Sequence, residues 1–288
     1  MVLKIASRGS ALALWQAEHV KARLETEHRG LHVEIEVQHT TGDRITDVPL
    51  ARIGDKGLFT KEVDRALLDG TADLAVHSLK DVPTVLESGL DLGAISRRED
   101  PRDAVVFRPG AGSTLDALPR GARVGTSSLR RRAQLLARRP DLVIEDLRGN
   151  LDTRLQRVAD GDFDAAILAL AGIRRLGRED AVGQVLGPPD WLPAVGQGAL
   201  GIAIRADADD TRQLVSVLAH VDGQSLTLHG LVASLDGRHV VRGEQAGSTA
   251  DPEAPGRALA RRLADEGGAA ILQAIRGDGP DTAAVPAP

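Results

Sequence analysis

The chain has 288 residues, a formal net charge of −5 and no cysteine. This length predicts about two domains, and the lack of cysteine excludes disulfides, thiolate metal sites and a cysteine nucleophile within this chain. With three Phe, two Trp and no Tyr, stacking on nucleic-acid bases is not expected. The N-terminus, MVLKIASRGS, lacks the pattern of a signal peptide and no apolar run is long enough for a bilayer, so we predict a cytoplasmic protein without membrane contact.

The first part of the chain predicts strands that alternate with helices. Apolar residues at three- and four-residue steps indicate helices, and short alternating or continuous apolar runs indicate strands. The predicted elements are a strand at Val2–Ala6, the turn Ser7–Ser10, a helix from Leu14 to Leu24, a strand at Leu31–Val37, a loop at Asp47–Leu58, a helix capped by Thr60 and a strand at Asp73–Val76. Their order is β-α-β-α-β.

The next part of the chain repeats this order. The sequence DGDFDAA, which starts at Asp160, repeats DGTADLA, which starts at Asp69, and a strand is expected in each. Two such units predict an α/β fold with two similar lobes, each built on a sheet rich in parallel strands. Ligands of such sheets bind at the carboxyl ends of the strands, so a cleft lined from both lobes is expected.

Two polar, proline-containing segments, Arg97–Asp103 and Pro188–Pro193, are the predicted crossings between the lobes. The predicted domains are a first lobe at residues 1–97 and 196–219, a second lobe at 98–195 and a small α+β third domain at 220–288. The third domain is expected to contain a β-hairpin with strands at Thr227–Leu235 and Arg238–Val241, joined by a type I′ turn at the Asp-Gly pair between them. A helix from Leu259 to Leu272, broken by glycine, should follow, and the tail from Asp278 is expected to fray.

A cluster of arginines is the most unusual local feature. The stretch from Arg123 to Arg157 holds nine arginines and four acids, a net charge of +5 in a protein of net charge −5, and so is a candidate anion site. Arg130 and Arg131 fall in the first turn of a predicted helix that the residues at 126–128 can cap. Each opposes the helix dipole by roughly 0.3–1 kcal/mol, which favours an anionic ligand there. The alternative is a solvated, arginine-rich surface helix, which we prefer for Arg138 and Arg139.

Three other patterns are discounted. The segment GQGALG at residues 196–201 lacks the strand before and the helix after it that a dinucleotide site needs, and a backbone hinge is favoured. His28 and His32 have helical spacing, but the Arg-Gly pair between them breaks a helix, so no metal site is predicted. His77 and Ser78 are neighbours on a strand and point to opposite faces, which argues against a hydrolase pair.

Six blocks of sequence carry a resemblance to a known family. HSLKDVP, GTSSLRRRAQL, LRGNLDTRL and LPAVGQGALGI occur in this order, with SRGSALALWQA and IGDKGLFTKE before them. Together they resemble the hydroxymethylbilane synthases, also called porphobilinogen deaminases, over roughly residues 2–218 and again from about 224. The resemblance implies two lobes similar to type II periplasmic binding proteins and a small third domain. It also implies a monomeric transferase of tetrapyrrole and haem biosynthesis, which joins four porphobilinogen molecules head to tail into hydroxymethylbilane and releases ammonia.

The resemblance further implies roles for particular side chains. The residues expected to hold carboxylates of a dipyrromethane cofactor are Lys80, Ser127, Arg130 and Arg131. Those expected to face porphobilinogen and the growing chain are Arg8, Ser10, Arg148 and Arg154. Asp81 matches the catalytic aspartate, which stabilises cationic intermediates and relays protons. From the residues alone, a salt bridge to Lys80 or a helix-start cap explains Asp81 equally well.

In one respect the chain departs from the family pattern. The family attaches dipyrromethane through a cysteine thioether on a third-domain loop, whereas this chain has no cysteine. Leu218–Asp222 runs almost directly into a predicted strand at Gln224–Leu228, so the expected helix and loop are missing and the third domain is shortened. Two hypotheses follow. The protein is a hydroxymethylbilane synthase whose anchor segment is absent from this sequence, or a non-enzymatic binder of carboxylates or pyrroles. We favour the first because the cleft residues are intact.

Overall fold

A computed structural model describes residues 1–38, 61–220 and 223–277. Its strands are β1 (Val2–Arg8), β2 (His32–Gln38), β3 (Leu74–Ser78), β4 (Leu90–Ile95), β5 (Asp103–Phe107), β6 (Arg123–Gly125), β7 (Val143–Glu145), β8 (Ala165–Ala169), β9 (Gln184–Leu186), β10 (Leu200–Arg205), β11 (Ser225–Ala233) and β12 (Val240–Ser248). Its helices are α1 (Ala11–Glu27), α2 (Lys61–Leu68), α3 (Leu129–Arg138), α4 (Leu151–Ala159), α5 (Leu170–Arg175), α6 (Asp209–Val215), α7 (Glu253–Leu263) and α8 (Ala269–Gly277). The loop predicted at Asp47–Leu58, the Thr60 cap and the tail from Asp278 lie outside the described residues.

The two large sheets have the same strand order. The first runs β2-β1-β3-β10-β4 and the second β7-β6-β8-β5-β9. In each sheet the first three strands pair in parallel. The fourth strand, β10 or β5, is antiparallel to the strand on either side of it. The repeat and the two-lobed α/β fold are therefore confirmed. Because β10 follows the whole second lobe and returns to the first sheet, the chain crosses between the lobes twice. The predicted domain boundaries themselves stay a prediction.

The first lobe shows how burial brings functional residues to a sheet edge. Leu3 and Ile5 of β1 pack against Ala17, Val20 and Leu24 of α1, and all five are almost completely buried. Full burial of an aliphatic side chain of this size contributes about 1.5–3 kcal/mol. This packing fixes the end of β1 and the start of α1, and hence the short turn between them at the sheet edge.

The third domain is a hairpin covered by a helix. Strands β11 and β12 pair antiparallel from Ser225↔Ser248 to Ala233↔Val240. Glycines allow α7 to approach the sheet closely, because a Cβ at Gly230 would lie 2.6 Å from Leu263 and one at Gly247 would lie 2.4 Å from Pro255. The predicted glycine break is confirmed, since Gly267 has a φ of 111° between α7 and α8.

The predicted type I′ turn is wrong. A type I′ turn needs positive φ at both central residues, but in the described part of the chain positive φ occurs only at glycines, so Asp236 has a negative φ. The strands end earlier than predicted, and residues 234–239 form a wider loop. The Asp236 carboxylate stabilises this loop by accepting hydrogen bonds from the Ser234 hydroxyl and the Arg238 amide.

The hairpin tip contacts the second lobe at Gly237. This residue has a φ of 72°, and a Cβ there would lie 2.4 Å from the Ala137 nitrogen and 2.6 Å from the Ala133 oxygen of α3. We expect Gly237→Ala to lower the free energy of unfolding by about 1–3 kcal/mol and to expose the hairpin to proteases. Gly223→Ala is the matched control, because Gly223 also has a φ of 72° but has no atom within 4 Å of its Cβ position. Equal losses in the two variants would show that the contact with α3 contributes nothing.

Candidate active site

One wall of the site lies where β1 and β3 end. These strands are parallel neighbours, so their carboxyl ends meet at one edge of the sheet. A single 3-10 turn over Leu79–Asp81 follows β3 and presents Lys80 and Asp81 there. Arg8, Ser10 and Asp81 line one cavity. The Ser10 hydroxyl also caps α1 by accepting a hydrogen bond from the Ala13 amide (3.3 Å).

His77 lies in the same cavity, although its sequence context pointed to no role. It is buried, and its Nε2, which has no hydrogen-bond partner in the part of the chain that the structure describes, lies 3.6 Å from Asp64 Oδ1. Burial, helped by the positive charge of Arg8, lowers the pKa of His77 to about 4. His77 is therefore neutral at pH 7 and contributes no positive charge for holding anions.

The opposite wall is formed by the starts of α3 and α4. Ser128 is the N-cap of α3, as predicted, and places Arg130 and Arg131 in the first turn. Arg154, in the first turn of α4, donates a hydrogen bond from its Nε to the oxygen of Gly149, which precedes the helix (2.8 Å). The pKa of Arg154 is lowered to about 10, chiefly by burial and then by the charge of Arg131. This wall therefore concentrates positive charge in a poorly solvated place.

Arg130 and Arg131 are held by a buried carboxylate that sequence reasoning missed. Asp103 Oδ2 lies 2.9 Å from Arg130 Nη2, and Asp103 Oδ1 lies 2.6 Å from Arg131 Nη2. Asp103 ends the polar segment predicted as a crossing between the lobes, and its polar sequence context gave no sign of burial. It is the first residue of β5 and pairs with Ala169 on one side and Leu186 on the other, so its side chain is fully buried.

The charge on Asp103 is fixed by these partners. Burial by itself would raise the pKa of its carboxyl group, but the guanidinium groups of Arg131 and Arg130 outweigh burial and hold the pKa below its usual range. Trp191 Nε1 and Gln197 Nε2 also donate to it, each at 2.8 Å. The carboxylate is therefore ionised at neutral pH and accepts four hydrogen bonds.

The two arginines differ in how much they offer a ligand. Arg131 is almost fully buried and also donates to the Ile167 oxygen (2.9 Å), yet its Nε has no hydrogen-bond partner among the described residues. Arg130 donates to the Leu192 oxygen, but 22% of its side chain remains exposed. Arg130 is therefore the more accessible of the two arginines to a ligand, whereas Arg131 is enclosed by the protein. Ser127 instead donates its hydroxyl proton to the Leu147 oxygen (3.1 Å).

Gln197 connects the two walls at the predicted hinge. Its amide nitrogen donates to Asp103, and its Oε1 accepts a hydrogen bond from Lys80 Nζ (3.3 Å). The hinge is tightly packed, because a Cβ at Gly198 would lie 2.2 Å from the Glu99 oxygen of the other crossing. Burial lowers the pKa of Lys80 to about 8, against the opposing effect of Asp81.

Electrostatic coupling shows which predicted residues come together. The pKa of Lys80 responds to Asp81, Arg130 and Arg131, and that of Arg154 responds to Arg131, Asp81 and Arg148. One cluster therefore contains Lys80, Asp81, Arg130, Arg131, Arg148 and Arg154. Arg8 and Ser10 adjoin it through the cavity they share with Asp81.

The outward arginines of α3 are separate from this cluster. Arg138 is exposed and pairs with the exposed Asp116 at 2.7 Å, as expected of a solvated surface. Arg139 differs from that expectation, since it is half-buried and donates to Asp141 and to the Leu115 and Leu118 oxygens. Its guanidinium group therefore forms hydrogen bonds within the protein and is not simply solvated.

The fold and the site define a two-lobed α/β protein with a cluster of cations at the strand ends of its sheets. The family model "Porphobilinogen deaminase, dipyromethane cofactor binding domain" matches residues 3–213. The porphobilinogen deaminase of Syntrophobacter fumaroxidans is 47% identical over 304 positions, covering 95% of this chain and 98% of that protein. That of Nitratidesulfovibrio vulgaris strain DP4 is 48% identical over 309 positions, covering 96% and 98%. The chain belongs to the porphobilinogen deaminase family.

Both matches are longer than the 288 residues of this chain, so these relatives contain residues that it lacks. Similar solved structures include a TRAP periplasmic solute binding protein from Desulfovibrio salexigens, with 12% identity, coverage of 76% of this chain and 72% of that one, and a TM-score of 0.45. A Salmonella typhimurium periplasmic binding protein with high arginine specificity shows 15% identity, coverage of 75% and 91%, and a TM-score of 0.43. Among the described residues, no helix has the length and apolar character needed to cross a membrane.

Proposed function

We propose that the cleft between the lobes binds porphobilinogen and its condensation products, with Asp81 at the reacting atoms. The protein is a transferase of the porphobilinogen deaminase family, which makes hydroxymethylbilane from four porphobilinogen molecules with release of ammonia. The observation that carries the proposed roles is that the exposed Asp81 carboxylate acts on both Lys80 and Arg154, and that Arg130, Arg131 and Arg148 act on these same two cations.

The cations suit the substrate because each pyrrole ring brings an acetate and a propionate. Guanidinium groups pair with carboxylates through two parallel hydrogen bonds, and they stay charged at all relevant pH values. Arg148 and Arg154 come from the second lobe, and Arg8 and Ser10 from the first. Under this proposal the four side chains hold one substrate molecule from both sides and orient its aminomethyl group towards Asp81.

Asp81 supplies the negative charge that the chemistry requires. When the aminomethyl C–N bond breaks and ammonia leaves, the remaining azafulvene is electron-poor. Attack on it by the free carbon of a second pyrrole forms the new C–C bond and leaves a cationic ring, which then loses a proton from that carbon. A carboxylate held beside both rings stabilises the charge and can accept the proton. Its position on an exposed 3-10 turn gives Asp81 access to both rings.

The donors present fit the carboxylates of a dipyrromethane cofactor but not its attachment. Lys80, Ser127, Arg130 and Arg131 would hold those carboxylates, with Arg130 the more exposed of the two arginines. When bound, dipyrromethane supplies the pyrrole end from which the chain grows. The family thioether cannot form on this polypeptide, because it contains no cysteine. That absence favours a second candidate function, binding of carboxylates or pyrroles without turnover.

Both lobes that line the cleft come from one chain, so a single copy holds all the proposed residues. We propose on this ground that the protein acts as a monomer. The absence of nucleic-acid and membrane partners and the cytoplasmic location stay predictions from the sequence.

Calorimetric titration of porphobilinogen into the full chain tests the proposed site. Binding should be detectable at low salt and roughly tenfold weaker at high salt, because screening weakens the charge contacts. Arg154→Gln should reduce the affinity strongly. Arg138→Gln is the matched control, since Arg138 pairs with an exposed acid outside the cleft. Absence of binding at any salt concentration, or equal effects of the two variants, would contradict the proposed site.

A further inference from the structure

Asp103 is the centre of a buried network that joins both lobes of the cleft. Its two oxygens accept hydrogen bonds from Arg130, Arg131, Trp191 and Gln197, at 2.6–2.9 Å. Its own side chain has no exposure to solvent. A buried carboxylate is strongly destabilising unless it is fully paired, and here donors from four residues pair it.

The network fixes the direction of both guanidinium groups. Asp103 binds one Nη2 of each arginine, while Arg131 Nη1 donates to the Ile167 oxygen and Arg130 Nη1 to the Leu192 oxygen. Each long side chain is therefore held at two points. Ordering such a long side chain costs rotamer entropy. With the side chains already ordered, a ligand carboxylate does not bear that cost on binding.

The same carboxylate reaches Lys80 through Gln197. The Gln197 side chain is buried and donates from Nε2 to Asp103 Oδ1 (2.8 Å) and to the Pro101 oxygen (2.7 Å), which leaves Oε1 to accept from Lys80 Nζ (3.3 Å). The Lys80 ammonium thereby has a fixed place relative to the two arginines. Lys80 belongs to the first lobe and Asp103 to the second sheet, so the network also sets the spacing across the cleft.

We propose that Asp103 is a positioning residue, which holds Arg130 and Arg131 directly and Lys80 through Gln197 as one ordered array for ligand carboxylates. The inference deepens the proposed function and rests on it. Two explanations of anion binding, by the net charge of the cleft or by the orientation of its cations, predict opposite changes in affinity for Asp103→Asn. Removal of a negative charge should tighten anion binding if the cleft acts only through its net charge. It should weaken binding if the orientation of the cations matters more.

The test is calorimetric titration of citrate, a small tricarboxylate whose own charge changes little above neutral pH. In the wild-type protein, citrate affinity should fall as pH rises through about 8, because Lys80 loses its proton there. The other charged groups that act on Lys80 are Asp81, Arg130, Arg131 and Asp103. Asp103 raises the pKa of Lys80, so Asp103→Asn should move the midpoint of this pH dependence to lower pH. It should also weaken binding at pH 7 about tenfold.

Asp164→Asn is the matched control. Asp164 also pairs with an arginine, Arg108, at 2.9 Å and accepts a backbone hydrogen bond from Arg123 in the same lobe, but it does not act on Lys80. It should leave both the affinity and the midpoint unchanged even if it lowers the melting temperature. Unchanged or tighter citrate binding by folded Asp103→Asn, or an unmoved midpoint, would overturn the inference.

Should Asp103→Asn fail to fold, Gln197→Met decides the question. This variant keeps the pairing of Asp103 with Arg130 and Arg131 but removes the link to Lys80. We expect citrate binding about threefold weaker or more, with the midpoint close to that of the wild type because the Asp103 charge remains. Wild-type affinity in Gln197→Met would then overturn the inference. Absence of citrate binding by the wild type would refute the proposed function itself, and the inference with it.

Discussion

Asp81→Asn is expected to slow porphobilinogen consumption by about 10²–10³, the typical effect of removing an electrostatic stabiliser of the transition state. Asn keeps the shape of the side chain but has no charge for the cationic intermediates and no basic oxygen for the proton. Asp81 is exposed, so the fold should be unaffected. Turnover is measured in a form with a cysteine-bearing segment inserted after Ala219, because the chain itself has no thiol.

The control for Asp81→Asn is Asp91→Asn in the same inserted form. Asp91 is also an exposed acid of the first lobe, and it pairs with Arg212 away from the cleft. Its replacement should leave turnover within about twofold, in keeping with the small energy of an exposed ion pair. Near-normal turnover by Asp81→Asn would refute the catalytic role, and equal losses in both variants would point to a general effect on the fold.

Arg131→Leu is expected to lower the free energy of unfolding by about 3–5 kcal/mol, because it leaves the buried Asp103 carboxylate without its closest partner. Urea denaturation measures this loss. Arg138→Leu on the same helix should cost less than about 1 kcal/mol, since that ion pair is exposed. If the two variants lose similar stability, the pairing of Asp103 with Arg131 does not contribute to the free energy of unfolding as described.

Local patterns predicted the lobes well because they depend on near neighbours. The repeated DGxxDxA sequences (starting at Asp69 and Asp160) precede equivalent strands, and the two sheets have equivalent strand orders. Ser128 caps α3 by accepting from the Arg131 amide three residues later. Such capping and spacing rules operate within one turn of helix, so a single sequence contains all the information that they need.

Long-range partners could not be predicted in this way. Asp103 follows a run of charged residues and so has the sequence context of a surface acid, while its arginines lie 27 and 28 positions away. Gln197 lies 94 positions from Asp103. At the hairpin tip, the loop around Asp236 differs from the short turn that the Asp-Gly pair predicts, and Gly237 there packs on the backbone of α3. These contacts exist only once the lobes and the third domain have assembled.

The role proposed for Asp81 came from resemblance and not from its chemistry. The residues alone left a salt bridge or a cap as alternatives, and the structure shows Asp81 on an exposed turn within electrostatic reach of Lys80 and Arg154. A signal for the network was available in Trp191, a large apolar residue inside a proline-rich crossing. Its burial and its hydrogen bond to Asp103 mark that crossing as part of the core.

The most direct test of the whole account is mass spectrometry of the purified chain after incubation with porphobilinogen, under denaturing and native conditions. Under denaturing conditions we expect the bare polypeptide mass, because no thiol is present to form a thioether. Under native conditions we expect porphobilinogen bound to the protein, with the complex lost in the Arg154→Gln variant. A pyrrole adduct that survives denaturation, or a native spectrum without any complex, would contradict the account.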